Sequence, residues 1–245
     1  MSSKTGRDMP TRQLTGRSPR KHHWWRWILA GAVALIVLVV LAAGAFIKLQ
    51  KAPAPLTLPT ARASTPASPL DGSWAPGTGS VAGFRVRESV LGFSNDVVGR
   101  TNAITGTMVV TGGRVTSAMI RIGLATIKVG GKAQPQFTKS LGTRRHPAAT
   151  FTLTRPIALS TAFASGAATT VAASGHLAMN GTSHLVTFMI SGRRDGSELQ
   201  AAGSIPIAFS EWDVKGPAGF GFFGGLMNHG SAEFLLVLHH LPEKA

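Results

Sequence analysis

The residues of this 245-residue chain that could do chemistry are a few histidines, a few acids and one crowd of cations. His146, His176, His184, His229, His239 and His240 include no pair at helical i, i+4 spacing within an HExxH frame, so no metal site is indicated. His239 and His240 are adjacent and would point to opposite faces of a strand. Serines are plentiful, but none stands in a G-x-S-x-G nucleophile elbow. Glu88, Asp96, Glu211, Asp213 and Glu233 could reach the rim of a cavity, and nothing in their spacing demands a pair for acid–base work. The expectation is a protein with no catalytic residue, no metal and no required cofactor. Lys128, Lys132, Lys139, Arg144 and Arg145 crowd one stretch. It reads either as a solvated loop or as an electropositive rim. As a rim, Lys139, Arg144 and Arg145 would make charge-assisted hydrogen bonds to phosphate oxygens of a head group or of an anionic membrane surface.

The elements that must carry these residues are strands. Asn180-Gly181 between two alternating arms is a strong hairpin signal, because both central residues of a type I′ turn need positive φ. The same grammar runs from residue 71 onward. Strands are expected at about 81–88, 99–111, 114–126, 149–154, 169–179, 184–192, 199–209 and 231–239. Pro206 implies a bulge or an unpaired side in the seventh. A short helix is expected at 136–142, ending before His146-Pro147. Eight mostly antiparallel strands must hide their edges, as a sandwich or as a closed barrel, and periodicity does not choose between them.

Alternation assigns an apolar inward face to Phe84 and Val86, Ile104 and Met108, Ile120, Ile122 and Leu124, and Phe151 and Leu153. It continues through Leu177 and Met179, Val186, Phe188 and Ile190, Ile207 and Phe209, Trp212, and Phe234 and Leu236. This face is either a filled core or the wall of a cavity for a long apolar ligand. Between the last two strands, Phe220-Gly221-Phe222-Phe223-Gly224-Gly225-Leu226-Met227 reads as an ordinary connection or as an apolar flap.

The front of the chain is different. The chain has no cysteine, which excludes disulfides, thiolate metal sites and cysteine lipidation. Of its net charge of +15, residues 1–70 hold ten Lys/Arg against Asp8 alone. Residues 1–27 form a basic tail ending in Trp24, Trp25 and Trp27. Residues 28–47 are an uncharged apolar run long enough, as a helix, to cross about 30 Å of hydrocarbon. The run is longer than the usual hydrophobic core of a cleaved signal peptide. The positive excess before it expects a single-pass cell-membrane protein with a cytoplasmic N-terminus and an extracytoplasmic C-terminal domain. With a membrane signal so close, the basic front end does not point to nucleic acid. Residues 48–70, rich in Pro, Ala, Thr and Ser, read as a stalk without a core. Residues 71–245 are the folded domain.

Several stretches in order resemble the YceI-like family of polyisoprenoid-binding, lipocalin-like domains. They are Asp71-Gly72-Ser73-Trp74, Val98-Gly99-Arg100-Thr101 with Ile104-Thr105-Gly106, His146-Pro147-Ala148-Ala149-Thr150-Phe151, and Gly175-x-Leu177-x-Met179-Asn180-Gly181. Gly203-Ser204-Ile205-Pro206-Ile207-Ala208-Phe209-Ser210-Glu211-Trp212 and Glu233-Phe234-Leu235-Leu236-Val237-Leu238 complete the set. The resemblance implies an all-β, extended eight-stranded antiparallel lipocalin-like barrel with a short helical segment. Its long apolar cavity would hold an isoprenoid chain, and its location would be outside the cytoplasm. Two departures stand out: Asn180 where the family tends to have His, and a Lys/Arg-rich stretch before His146 where many members are more acidic. The combined expectation is a membrane-anchored binder of a polyprenyl or quinone-like lipid that transports or stores it. The alternatives are an enzyme acting on such a head group, or an interaction module with a filled core. Oligomeric state, monomer or homodimer, is left open.

Overall fold

The computed structural model describes residues 31–35, 37–39, 41, 52–62, 69–90, 93–216 and 224–242. Residues 1–46 and 47–245 form separate units. In the first, the described residues are helical and exposed, with Val33, Leu35, Val37, Leu38, Val39 and Leu41 open to solvent. The rest of the expected 28–47 span, and the tail before it, lie outside the described residues. Among the described residues, no helix is long and apolar enough to cross a membrane.

In the second unit, alternating sequences form β1 (Gly72–Pro76), β2 (Val81–Val90), β3 (Phe93–Thr101), β4 (Ile104–Thr111), β5 (Arg114–Gly123), β6 (Lys128–Val129) and β7 (Lys132–Ala133). They continue as β8 (Ala148–Leu153), β9 (Ile157–Ala158), β10 (Thr169–Met179), β11 (Thr182–Asp195), β12 (Glu198–Ala208), β13 (Gly224–Leu226) and β14 (His229–His240). The closed ring runs β1-β4-β5-β8-β10-β11-β12-β14 and returns to β1, all antiparallel. Closure removes the edges that an open sheet would expose. The domain is therefore an eight-stranded antiparallel barrel with few helices.

The ring is not built from the same eight strands that the sequence suggests. β1 was not foreseen, and the expected strand 99–111 is two strands broken at Asn102-Ala103. β1 and β2 share one edge of β14: Pro76 meets Leu238, and Val81 meets Leu235. Between them the chain leaves the ladder, and the Ser80 hydroxyl fills the gap. Ser80 Oγ donates to the Val237 carbonyl (3.1 Å) and accepts from the Val237 N–H (2.9 Å). Asn102 Nδ2 ties the second break to the first by donating to the Ser80 carbonyl at 2.8 Å. A side chain thus does the pairing that a continuous backbone would do. β2 and β3 then extend past the start of β14 as a hairpin flanked by β13 and β6.

The other expectations fall close to the observed elements. Asn180 (φ 51°) and Gly181 (φ 84°) make the tight turn between β10 and β11. The expected helix is at Pro135–Ser140, with proline at its start. Pro206 pairs with Ser231 of β14, while β11 has already left β12 at Gly203, so its missing N–H faces no partner strand. Residues 124–126 are a 3-10 turn rather than strand. Part of the expected flap is strand: Gly224–Leu226 pairs with β2, while residues 217–223 lie outside the described residues.

The expected free stalk is also different where it is described. Residues 52–62 lie extended on the outside of the barrel. Leu56 and Leu58 are half-buried between exposed neighbours. The carbonyls of Pro53 and Pro59 accept from Arg85 (2.7 Å) and Arg193, and the Arg62 N–H donates to Asp195 Oδ1 at 3.1 Å. Prolines cannot extend a β ladder, so arginine side chains hold this segment by its carbonyls instead.

Candidate functional site

The inward faces of the ring do not close on one another. They enclose a cavity of about 240 Å³. A single water needs only about 10–15 Å³, so this is no packing defect. Two packed clusters bound it. One is centred on Trp74, Val110, Val115, Phe163, Leu199 and Leu238; the other on Leu124, Ile127, Leu177, Phe188, Ile207 and Trp212. The wall is apolar except for Ser140, Thr169, Gln200, Ser231 and Glu233. The polar ends of two of these are engaged elsewhere. Gln200 is bonded to Arg193 and Asp195, and Glu233 to Arg85 and Arg100.

Of the nineteen residues assigned inward by alternation, sixteen line the cavity and three do not. Ile104 is buried in the first cluster, behind the wall. Val186 packs against the second cluster without reaching the void. Trp212 is 1 % exposed, in the 3-10 turn Phe209–Trp212 beyond the end of β12. It packs edge-on to His184 at 4.9 Å, and its Nε1 has no partner among the described residues. Strand alternation does not extend into that turn, and for this reason it misplaced Trp212. Alternation also missed lining residues outside the strands: Phe137 and Leu141 in and after the helix Pro135–Ser140, and Phe163 in the helix Thr161–Ala164. Those helices are too short to show a period. Only the Ser160 cap, whose hydroxyl accepts from the Phe163 N–H at 3.1 Å, marks the second one.

The titratable residues take structural places. His184 Nε2 meets the Glu211 carbonyl at 2.7 Å, and His240 meets the Asp71 carbonyl at 3.2 Å while packing edge-on to Trp74. His176 is exposed on the outer face. Among the described residues no group of histidines and acids could hold a metal ion. The lining's one acid, Glu233, is 5 % exposed and paired with Arg85 at 2.6 Å and with Arg100. Gly83 stands opposite Glu233, with Arg100 beyond it in register, so the two charged side chains meet across a residue with no side chain. Burial works against the Arg85 charge, but the hydrogen bonds and charges of Glu233 and Asp96 outweigh it and raise its pKa. Lys139, Arg144 and Arg145 are exposed beside the lining residues Ser140 and Leu141. Among the described residues none has a carboxylate within ion-pair distance.

A closed eight-stranded antiparallel barrel around an apolar void is the architecture of small proteins that carry one hydrophobic ligand. The sequence model of the YceI-like domain matches residues 75–229, well over half of the chain, and the chain belongs to that family. Its fold is similar to a polyisoprenoid binding domain from Saccharophagus degradans implicated in plant cell wall breakdown. The TM-score is 0.54 at 16% identity, over 70% of this chain and 99% of that one. BcnA of Burkholderia cenocepacia matches with a TM-score of 0.48 at 16% identity, over 64% of this chain and 95% of that one. No curated protein sequence matches.

Proposed function

We propose that this protein holds the chain of an isoprenoid-type lipid, polyprenyl or quinone-like, inside the barrel, as a carrier or store rather than a catalyst. The observation that carries the reading is the void itself: a filled core would have left none. Its wall gains about 0.8 kcal/mol for each CH₂ it takes out of water. Met108 and Met179 add adaptable thioethers to that wall. The fold shared with a polyisoprenoid binding domain supports the same reading. The enzyme alternative needs an acid or base free to act at the cavity. The one lining acid, Glu233, is held by two arginines.

We further propose that the apolar run 28–47 anchors the chain in the cell membrane, N-terminus inside, with the barrel outside the cytoplasm. Its support is the uncharged length of the run and the cations before it. The test is to purify the full chain from membranes in mild detergent and identify bound lipid by native mass spectrometry. A stoichiometric isoprenoid is expected. Protein recovered only ligand-free, or with random phospholipid, would overturn the assignment. Protein recovered from the soluble fraction would overturn the anchor alone.

A further inference from the structure

Residues 52–62 form a strap over the outside of the barrel, and its contacts recur every third residue. The Pro53 carbonyl accepts from Arg85 at 2.7 Å, and Leu56 is half-buried. The Pro59 carbonyl accepts from Arg193, and the Arg62 N–H donates to Asp195 at 3.1 Å. Leu58 is half-buried as well, while Pro53, Pro55, Thr57 and Pro59 are exposed, so the barrel holds the backbone more than the side chains. A repeat of three is that of the polyproline II helix, whose carbonyls make no bond within the helix and stay open to outside donors. Prolines at 53, 55 and 59 preset the φ of that backbone.

The barrel supplies the matching half. Arg85 on β2 and Arg193 on β11 alternate with cavity-lining residues, so both point outward. Arg85 pairs with Ser231 of β14, whereas Arg193 pairs with Gln200 of β12, which pairs with Val237 of β14. The two arginines therefore stand three strands apart with a register offset from Ser231 to Val237, roughly 24 Å along the diagonal. A polyproline II chain sets residues 53 and 59 about 19 Å apart, and the arginine side chains span the remainder. Between them Ala202 and Leu235 stand opposite each other on the outside of β12 and β14. Ala202 is 4 % exposed, against 57 % for Met119 and 62 % for Leu185 at outward positions elsewhere on the ring. The donors are set by the barrel itself: Arg85 is bonded to Glu233 and Asp96, Arg193 to Gln200, and Gln200 to Asp195.

We propose that this diagonal groove is a recognition site for proline-rich segments, that residues 52–62 are its tethered occupant, and that a proline-rich segment of another protein takes it in their place. The site lies on the opposite side of the strands from the cavity. It reads two carbonyls six residues apart and the aliphatic side chains between them. Carbonyls do not depend on side-chain identity, so any polyproline II segment with leucine at the places of Leu56 and Leu58 presents the same features. Such a segment loses little entropy on docking, because its conformation is already formed. The chain's own strap is the competitor. On a short link to β1 it acts at an effective concentration on the order of millimolar, and a partner binds to the extent that it exceeds this.

The test uses the full-length chain and a fluorescein-labelled peptide with the sequence of residues 52–62, read by fluorescence anisotropy. In the wild type the groove is filled and the peptide should bind weakly. Leu56→Asp with Leu58→Asp in the chain frees the groove, and the peptide should then bind about a hundredfold more tightly. The same two substitutions made in the peptide instead should abolish binding to the freed chain, an arm that leaves the barrel untouched. Arg193→Lys in the freed chain should weaken the peptide about tenfold, through loss of the guanidinium bond to the Pro59 carbonyl. A freed chain that ignores the peptide, or that binds the Asp-substituted peptide equally well, overturns the recognition site. A wild-type chain that runs as a dimer on size exclusion and is split to monomers by the peptide assigns the groove to the strap of a second copy, and overturns the separate partner.

Discussion

At the scale of single residues, two side chains hold more than their own position. Glu233, itself buried, pairs with both Arg85 and Arg100 across Gly83, and the two arginines are partly buried. Glu233→Ala leaves Arg100 without its acid and Arg85 with Asp96 alone, and should cost about 2–3 kcal/mol in urea unfolding, while Glu233→Gln recovers part of it. Because the Arg85 pKa is raised, its contribution is complete below the ordinary arginine value of the unfolded chain and fades only above the folded one. Titrating the unfolding midpoint from about pH 7 to about pH 10 should therefore show no loss traceable to this arginine. Asn180 does two jobs. It takes the left-handed conformation of the turn, and its amide donates to the carbonyls of Trp212 (3.0 Å) and Asp213 (2.9 Å). Asn180→Ala should lower stability by about 1–2 kcal/mol in thermal melts, from strain and two lost hydrogen bonds. Asn180→Gly should lose only the hydrogen-bond share.

At the scale of elements, the outer strap is held by a buried polar trio. Arg193 is 6 % exposed and bonds Gln200 Oε1 at 3.0 Å, and Gln200 in turn donates to Asp195. Arg193→Ala should cost about 2–3 kcal/mol, because it strips partners from buried polar groups. Hydrogen exchange by mass spectrometry should then show the Arg62 amide exchanging freely, whereas in the wild type it is protected. The sequence could not announce this strap. Its composition is that of a linker, and what fixes it are outward arginines on strands about 30 and 130 residues away. The ring strands were legible because each alternates for long enough to show its period, as Leu177, Phe188 and Phe234 do. β1 was not legible. It is five residues long, its centre Trp74 is fully buried, and its two ends are half-exposed. The break at Asn102-Ala103 was missed for another reason: Gly99-Arg100-Thr101-Asn102 carries no apolar alternation that would show where one strand ends and the next begins.

At the scale of the whole molecule, the cavity has a volume that single residues can remove. Ala173 and Ala201 both line it. Ala173→Phe with Ala201→Phe should fill the void, cost no more than about 1–3 kcal/mol and keep the far-ultraviolet circular dichroism of the barrel. Lipid recovered with the protein should fall sharply. Lipid recovered unchanged would move the binding site out of the barrel. The Ser80–Val237 contact bears on timing as well as on shape. It joins residues 157 positions apart, and the ring seals only where the last strand reaches the first two. Until β14 is available there is a curved sheet with an open seam and no enclosed space. Such non-local closure is slow compared with local hairpins. A ligand is therefore held only after β14 has been made, and the newborn protein passes through an interval with its apolar wall bare.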